Sequence, residues 1–166
     1  MKQIVLLLLI MLSVLFSATC FAHTMPESEM FLRGIGPKTT LAQVKTVYGD
    51  PAGKDEFKGE GVRVVTYVYS PLFKVFGRTY AEDTSPDEKL TVVGYMVKDK
   101  NITTPSGFSV GVPYQAVVKK FGPGENFTDY DGRIGYIYSF NSGMTTLTFY
   151  VDKNNIVSEI NLGTDF

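Results

Sequence analysis

Two stretches of the chain share one hydrophobic pattern. In GPKTTLAQVKTVYGDP (36–51) and GVPYQAVVKKFGPG (111–124), apolar positions recur at i, i+3 and i+7. They are Leu41, Val44 and Tyr48 in the first, and Tyr114, Val117 and Phe121 in the second. That spacing lines one face of a helix. Thr39 or Thr40 can cap the first helix, and Pro113 stands near the start of the second, where a missing N–H costs little. Gly49 and Gly122 suit the left-handed position that ends a helix, and Pro51 and Pro123 prevent its continuation.

After each helix the period changes to alternation. TYVYS (66–70) is answered by GYIYS (135–139), and two further strand-like runs follow each of them. These runs are LFKVFGRTY (72–80) and KLTVVGYMV (89–97), then MTTLTFYV (144–151) and IVSEINL (156–162), separated by polar turns at 80–88 and 152–155. Each half reads as a helix and a three-stranded meander. The predicted fold class is α+β: two tandem αβββ repeats, 23–103 and 104–166, sharing an antiparallel sheet of about six strands with both helices on one face. Alternation sends Leu147, Phe149, Val151, Ile156, Ile160 and Leu162 toward the helices, and Thr146, Thr148, Tyr150, Glu159 and Asn161 away. One unit of roughly 60–70 residues would have a marginal core, and two side by side bury more.

Residues 1–22 read differently. A basic start at Lys2, an unbroken apolar run over 4–16 and the small-residue stretch SATCFA follow the order of a secretory signal peptide cleaved after Ala22. The run is shorter than the ~20 residues of a membrane-spanning helix. Cys20 is the only cysteine, so cleavage there leaves no disulfide. Acylation at Cys20 is the alternative, although Ser17 and Thr19 stand where a lipoprotein signal carries Leu and a small residue. The expectation is export to the periplasm or beyond, with a lipid-anchored form as the alternative and no transmembrane segment after signal removal.

Charge narrows the partner. Sixteen basic residues face seventeen acidic ones, with no basic run, which argues against a nucleic-acid partner. Ten Tyr and twelve Phe with no Trp lean toward a β-rich binding protein.

Several of these residues carry a family resemblance. Gly36, Val44, Tyr48, Gly49, Pro51, Tyr67 and Tyr69 match Gly111, Val117, Phe121, Gly122, Pro123, Tyr136 and Tyr138, and the second set ends in DKNNIV (152–157) with Ile160. The pattern resembles the SmpA/OmlA outer-membrane assembly lipoproteins and the repeats of secreted β-lactamase inhibitor proteins. The resemblance implies protein–protein contact, through the open sheet face or the loops at its edge.

Candidate chemistry is sparse. His23 is the only histidine, so neither a nucleophile–His set nor a zinc site can be assembled from the exported chain. Asp129-Tyr130-Asp131-Gly132 starts like a calcium loop, but Arg133 and Ile134 stand where oxygen ligands should follow, which leaves a turn. Glu82, Asp87, Asp129 and Asp131 show no spacing that fixes a hydrolytic pair. Arg33–Lys38 lacks the rest of any nucleotide fingerprint. No catalytic residue, cofactor or metal is therefore expected.

The tyrosine doublets remain. Tyr67 with Tyr69, and Tyr136 with Tyr138, lie on one side of their strands, either under the helices or on the open face as a platform. Tyr95 and Tyr150 join them as candidates for a partner-binding face, and Phe73 is weaker. The function expected is an exported, non-catalytic envelope protein acting as a protein-binding or scaffold module. One alternative is a secreted enzyme inhibitor working through the 80–88 loop. The other is a carbohydrate-binding or carbohydrate-active protein, with a cleft lined by Tyr and at least two acids.

Overall fold

Both helices begin and end for reasons written in their flanks. Thr40 opens α1 (Leu41–Tyr48) with a complete capping box, its hydroxyl accepting from the Gln43 N–H while the Gln43 side chain accepts from Thr40 N. Pro113 precedes α2 (Tyr114–Phe121). Gly49 and Gly122 close the helices at φ 82°, ψ −168° and φ 79°, ψ 174°. The expected left-handed turn is thus replaced by a positive φ with extended ψ, a region open essentially to glycine alone. The carbonyl of each glycine is left pointing away from its helix and needs a donor elsewhere.

The computed structural model describes residues 24–164, and the apolar leader, Cys20 and His23 lie outside the described residues. After α1 come β1 (Gly53–Gly59), β2 (Val62–Ser70), β3 (Phe73–Tyr80) and β4 (Thr91–Val97). After α2 come β5 (Glu125–Thr128), β6 (Ile134–Phe140), β7 (Thr145–Val151) and β8 (Val157–Thr164). All eight join one antiparallel sheet in the order β1-β2-β3-β4-β8-β7-β6-β5. The fold is α+β, as expected, but each half is a helix followed by four strands. β1 and β5 are the additions, and they form the two outer edges of the sheet.

The halves meet at β4 and β8 through four residue pairs, Gly94–Gly163, Tyr95–Leu162, Met96–Asn161 and Val97–Ile160. Glycine is required in this seam. A Cβ on Gly94 would lie 2.4 Å from the Leu162 carbonyl oxygen.

Each half also pins its helix to its own last strand. Leu41 N donates to Leu90 O and Val92 N to Thr39 O; Tyr114 N donates to Asn155 O and Val157 N to Val112 O. Both last strands carry a bulge, one between Phe76/Gly77 and Gly94/Val92, the other between Tyr150/Val151 and Glu159/Val157. The extra residue reverses the alternation. Val92 and Tyr95 consequently share the core face, as do Val157 and Ile160. Val157, rather than the expected Ile156, fills the core position, and Ile156 is half-buried.

The core lies between helices and sheet. Leu41, Val44, Val117 and Phe121 press onto Val65, Val75, Val97, Leu147, Phe149, Ile160 and Leu162. The segment before α1 adds Met25, Met30, Leu32 and Ile35. Its Glu29, only 2% exposed, accepts hydrogen bonds from Ser106 Oγ (2.7 Å) and Ser106 N, tying it to the crossover between the halves.

Candidate functional site

The tyrosines single out two faces with different jobs. Tyr67, Tyr95 and Tyr138 are buried in the core beneath the helices, and Tyr69 and Tyr136 pack partly buried against it. Tyr67, Tyr95 and Tyr138 therefore cannot serve as an exposed platform, and none of the five lies on the open sheet face. The physical reason for the doublets is the helix stop. Tyr69 OH donates to the Gly49 carbonyl (3.1 Å) and Tyr138 OH to the Gly122 carbonyl (2.8 Å), supplying the donor that each glycine lacks. Tyr95 OH donates to Met30 O at 3.2 Å, and its inward placement follows from the bulge in β4. Burial raises the Tyr69 phenol to about 12, and it also pushes Tyr95 and Tyr138 well up, with the Tyr114 hydrogen bond adding to the rise at Tyr138.

The second half is tighter than the first. Tyr114 and Tyr136 stack at 3.9 Å, and Tyr114 OH lies 3.0 Å from Tyr138 OH while accepting from Gly124 N at 2.9 Å. Since the Tyr138 proton goes to Gly122, Tyr114 is the donor between the two hydroxyls. The result is a relay from Gly124 N–H through both tyrosines to the Gly122 carbonyl.

Of the six tyrosines only Tyr150 lies on the open face. It is held there by Phe127 edge-on at 5.7 Å and by the Arg133 guanidinium 4.1 Å from its ring centre. Arg133 also reaches Asp129 (2.8 Å) and Glu159 (2.9 Å), and Lys98 reaches Glu159 at 3.1 Å. Glu159, its side chain 5% exposed, is therefore a buried carboxylate satisfied by one cation from each half. The Asp129 stretch is a turn, its Oδ1 accepting from Asp131 N and Arg133 N.

Among the described residues no helix covers the rest of this face. One row crosses both halves: Val68, Lys74, Met96, Asn161, Thr148 and Ile137. A neighbouring row holds Asp55, Thr66, Phe76, Gly94, Gly163 and Thr146, and Phe57 beyond it is 56% exposed. The amide oxygen of Asn161, at the middle of the sheet, is enclosed and has no hydrogen-bond partner among the described residues. Phe57, Phe76 and Met96 are candidate contact residues that tyrosine counting misses. The signal for Phe76 and Met96 is alternation: each neighbours a core residue, Val75 or Val97, on its own strand. The sheet edges offer less, since β1 carries Lys54, Asp55, Glu56 and Lys58 along its exposed length, a pattern that discourages further strand pairing.

The 80–88 loop is tethered. Asp83 accepts from Thr79 Oγ1 (2.6 Å) and Ser85 N (2.8 Å), and these hydrogen bonds pull its carboxyl down to about 2. Asp87 binds Lys54 (2.7 Å) and Arg63, and the Lys54 hydrogen bond leads in lowering it. Arg63 also donates to Ser85 O and Glu56. At its near end Tyr80 projects, 78% exposed, and Glu82, Thr84, Pro86 and Glu88 are exposed along the loop. Among the described residues no group of three or more His, Cys, Asp or Glu is placed to hold a metal ion, and no helix is long and apolar enough to cross a membrane.

Comparison with known proteins adds little beyond this geometry. No family model matches the chain, and no characterised protein matches its sequence. Among solved structures it is similar to YjgB of Bacillus subtilis, a DUF4309 family protein, at 18% identity and TM-score 0.46, covering 86% of this chain and 88% of that one. A cysteine-rich secretory protein of Staphylococcus aureus, SAV1118, aligns at 11% identity and TM-score 0.49 over 87% of this chain, which spans about half (51%) of that protein. A candidate β-lactamase inhibitor protein of Streptococcus mutans aligns at 13% identity and TM-score 0.31, over 74% of this chain and 82% of that one. Likeness at this level assigns neither family nor activity.

Proposed function

We propose that this chain is an exported, non-catalytic protein-binding module that receives its partner on the uncovered sheet face. The observation behind this reading is the face itself. The sheet presents Phe57, Phe76, Met96 and Ile137 on the side away from both helices. Apolar surface of this kind gains free energy when a partner removes it from water. The leader sequence supports export. The resemblance to SmpA/OmlA proteins and β-lactamase inhibitor proteins agrees with a binding role. On this reading the helix-and-four-strand halves are two copies of one unit.

A photo-crosslinking residue placed at Met96, and separately at Val47 on the exposed side of α1, tests the proposal in envelope extract. The expected result is a discrete adduct from position 96 and none from position 47. Adducts from the helix side alone, or from neither position, reject it. A second reading, enzyme inhibition through the 80–88 loop, draws on the tethering of that loop around an exposed Tyr80, since a pre-ordered loop binds at lower entropic cost. Deleting residues 81–86 should then abolish inhibition while leaving crosslinking at position 96 intact.

A further inference from the structure

We infer that the pocket at the end of α1 is a binding site for a sugar ring, separate from the open sheet face. The pocket, about 370 Å³, lies on the helix side, where Arg33, Tyr48, Tyr69, Phe73, Asp99 and Asn101 converge from four separate segments of the chain. Its volume is at the small end of the ~300–1,000 Å³ typical of small-molecule sites.

The aromatic wall is preformed. Phe73 packs at 4.8 Å from Tyr48 and 5.4 Å from Tyr69, and both tyrosine hydroxyls are tied to backbone carbonyls, Tyr48 to Leu32 (3.2 Å) and Tyr69 to Gly49 (3.1 Å). The rings are therefore fixed before any ligand arrives, yet Tyr48 and Tyr69 remain half-exposed. Arg33 stands at φ 51°, an uncommon backbone state for a residue other than glycine. There its guanidinium lies 5.9 Å from the Tyr48 ring centre, with no carboxylate partner among the described residues. Asp99 is oriented from one side only: its Oδ1 accepts from Asn101 N (2.8 Å) and Asn101 Nδ2 (2.9 Å). Asp99 Oδ2 and Asn101 Oδ1 have no partner among the described residues.

This set of groups selects its ligand by elimination. A simple anion would meet Asp99, a simple cation would meet Arg33, and a purely apolar ligand would desolvate both without pairing either. A sugar ring satisfies all of them. Its C–H face lies on the tyrosines, adjacent hydroxyl oxygens accept from the planar Arg33 fork, and hydroxyl protons go to Asp99 Oδ2 and Asn101 Oδ1.

In the second half the equivalent place is lined differently. Phe121 stands at the position of Tyr48 and is covered edge-on by Phe108 at 5.8 Å, while the Tyr138 hydroxyl is occupied by Tyr114. A pocket of about 300 Å³ remains beside Phe121 and Tyr138, rimmed by Glu125, but its lining has no counterpart of Arg33 or of the Asp99–Asn101 pair.

The test is an amide NMR titration of the exported chain with maltotriose, tri-N-acetylchitotriose and trigalacturonate, each to about 20 mM, enough to detect millimolar binding. The expected result is saturable shifts at Arg33, Tyr69 and Asn101 with at least one of them. Arg33→Ala and Asn101→Ala should each weaken that binding by about tenfold while leaving the spectrum elsewhere unchanged, because both side chains are exposed and outside the core. No saturable shift with any of the three sugars, or shifts that survive both substitutions, overturns the inference. Crosslinking at position 96 reads the open face independently.

Discussion

Replacing Tyr138 by Phe removes one oxygen from a sequence of hydrogen bonds that has no ready substitute. The Gly122 carbonyl loses its donor, and the Tyr114 hydroxyl loses its acceptor. Tyr138 is 8% exposed, so water has poor access to either orphan. At about 1–3 kcal/mol for each buried polar group left unpaired, and with partial relaxation, the loss is about 2–4 kcal/mol. The equivalent change in the first half, Tyr69→Phe, frees the Gly49 carbonyl at an exposed hydrogen bond, where water replaces the phenol and the loss is about 0.5–1 kcal/mol. For a chain of this size a kilocalorie moves Tm by about 2–4 °C. Thermal and urea unfolding followed by circular dichroism should therefore show Tm falling by about 4–16 °C for Tyr138→Phe, and by about 1–4 °C for Tyr69→Phe. Tyr114→Phe combined with Tyr138→Phe should cost less than the sum of the two single changes, since both act on one relay. Equal losses in the two halves, or strictly additive ones, would refute the relay as the source of the tighter second half.

Other perturbations test other parts of the structure. Gly94→Ala puts a Cβ against the Leu162 carbonyl, a backbone atom that cannot rotate away, and should lower the urea midpoint more than Gly163→Ala, where the new Cβ meets only Thr146 Oγ1 at 3.6 Å. Asp83 has a folded pKa near 2 against an ordinary value of 3.8, so its contribution is present above the ordinary value and is lost as pH falls toward 2. Asp83→Asn should accordingly flatten the acid limb of the stability–pH curve, with little change in the position of the alkaline limb. The phenols run the other way. With Tyr69 raised to about 12, and Tyr95 and Tyr138 raised by burial, their contribution is intact below pH 10 and is lost as pH rises through the folded values. The tyrosinate absorbance of the buried rings at 295 nm should appear only as circular dichroism reports unfolding.

The helices and most strands were legible because burial writes a period into the sequence. α1 and α2 present the i, i+3, i+7 stripe between a cap and a Gly–Pro stop, and six strands show an apolar side. β1 and β5 show none: GKDEFKG and ENFT lie at the edges, exposed on both faces for most of their length, so nothing forces alternation. Tyr95 was misplaced for a different reason. The bulge in β4 inserts one residue between Val92 and Tyr95 and turns an outward parity inward, and the matching bulge in β8 exchanges Ile156 for Val157. The tyrosine doublets were visible as a pattern, while their purpose depended on the glycine carbonyls, which side-chain periodicity does not report. The pocket at the end of α1 was illegible because its groups come from positions 33, 48, 69, 73, 99 and 101, related by folding alone.

The seam between β4 and β8 bears on how the chain reaches this structure. Every other strand pair joins neighbours along the chain, so each meander can close on its own. The seam pairs residues 94–97 with 160–163 and must wait until the whole second half has been made. With only four pairs it is as short as the β5–β6 edge hairpin, while the other strand pairs have six or more. A folding intermediate would therefore carry two formed meanders with the edges of β4 and β8 still bare. At high concentration the β4 edge of one molecule can find the β8 edge of another before its own, giving an exchanged dimer of otherwise native halves. Refolding yield of monomer should then fall with protein concentration, and the dimers should unfold with the native circular dichroism signal.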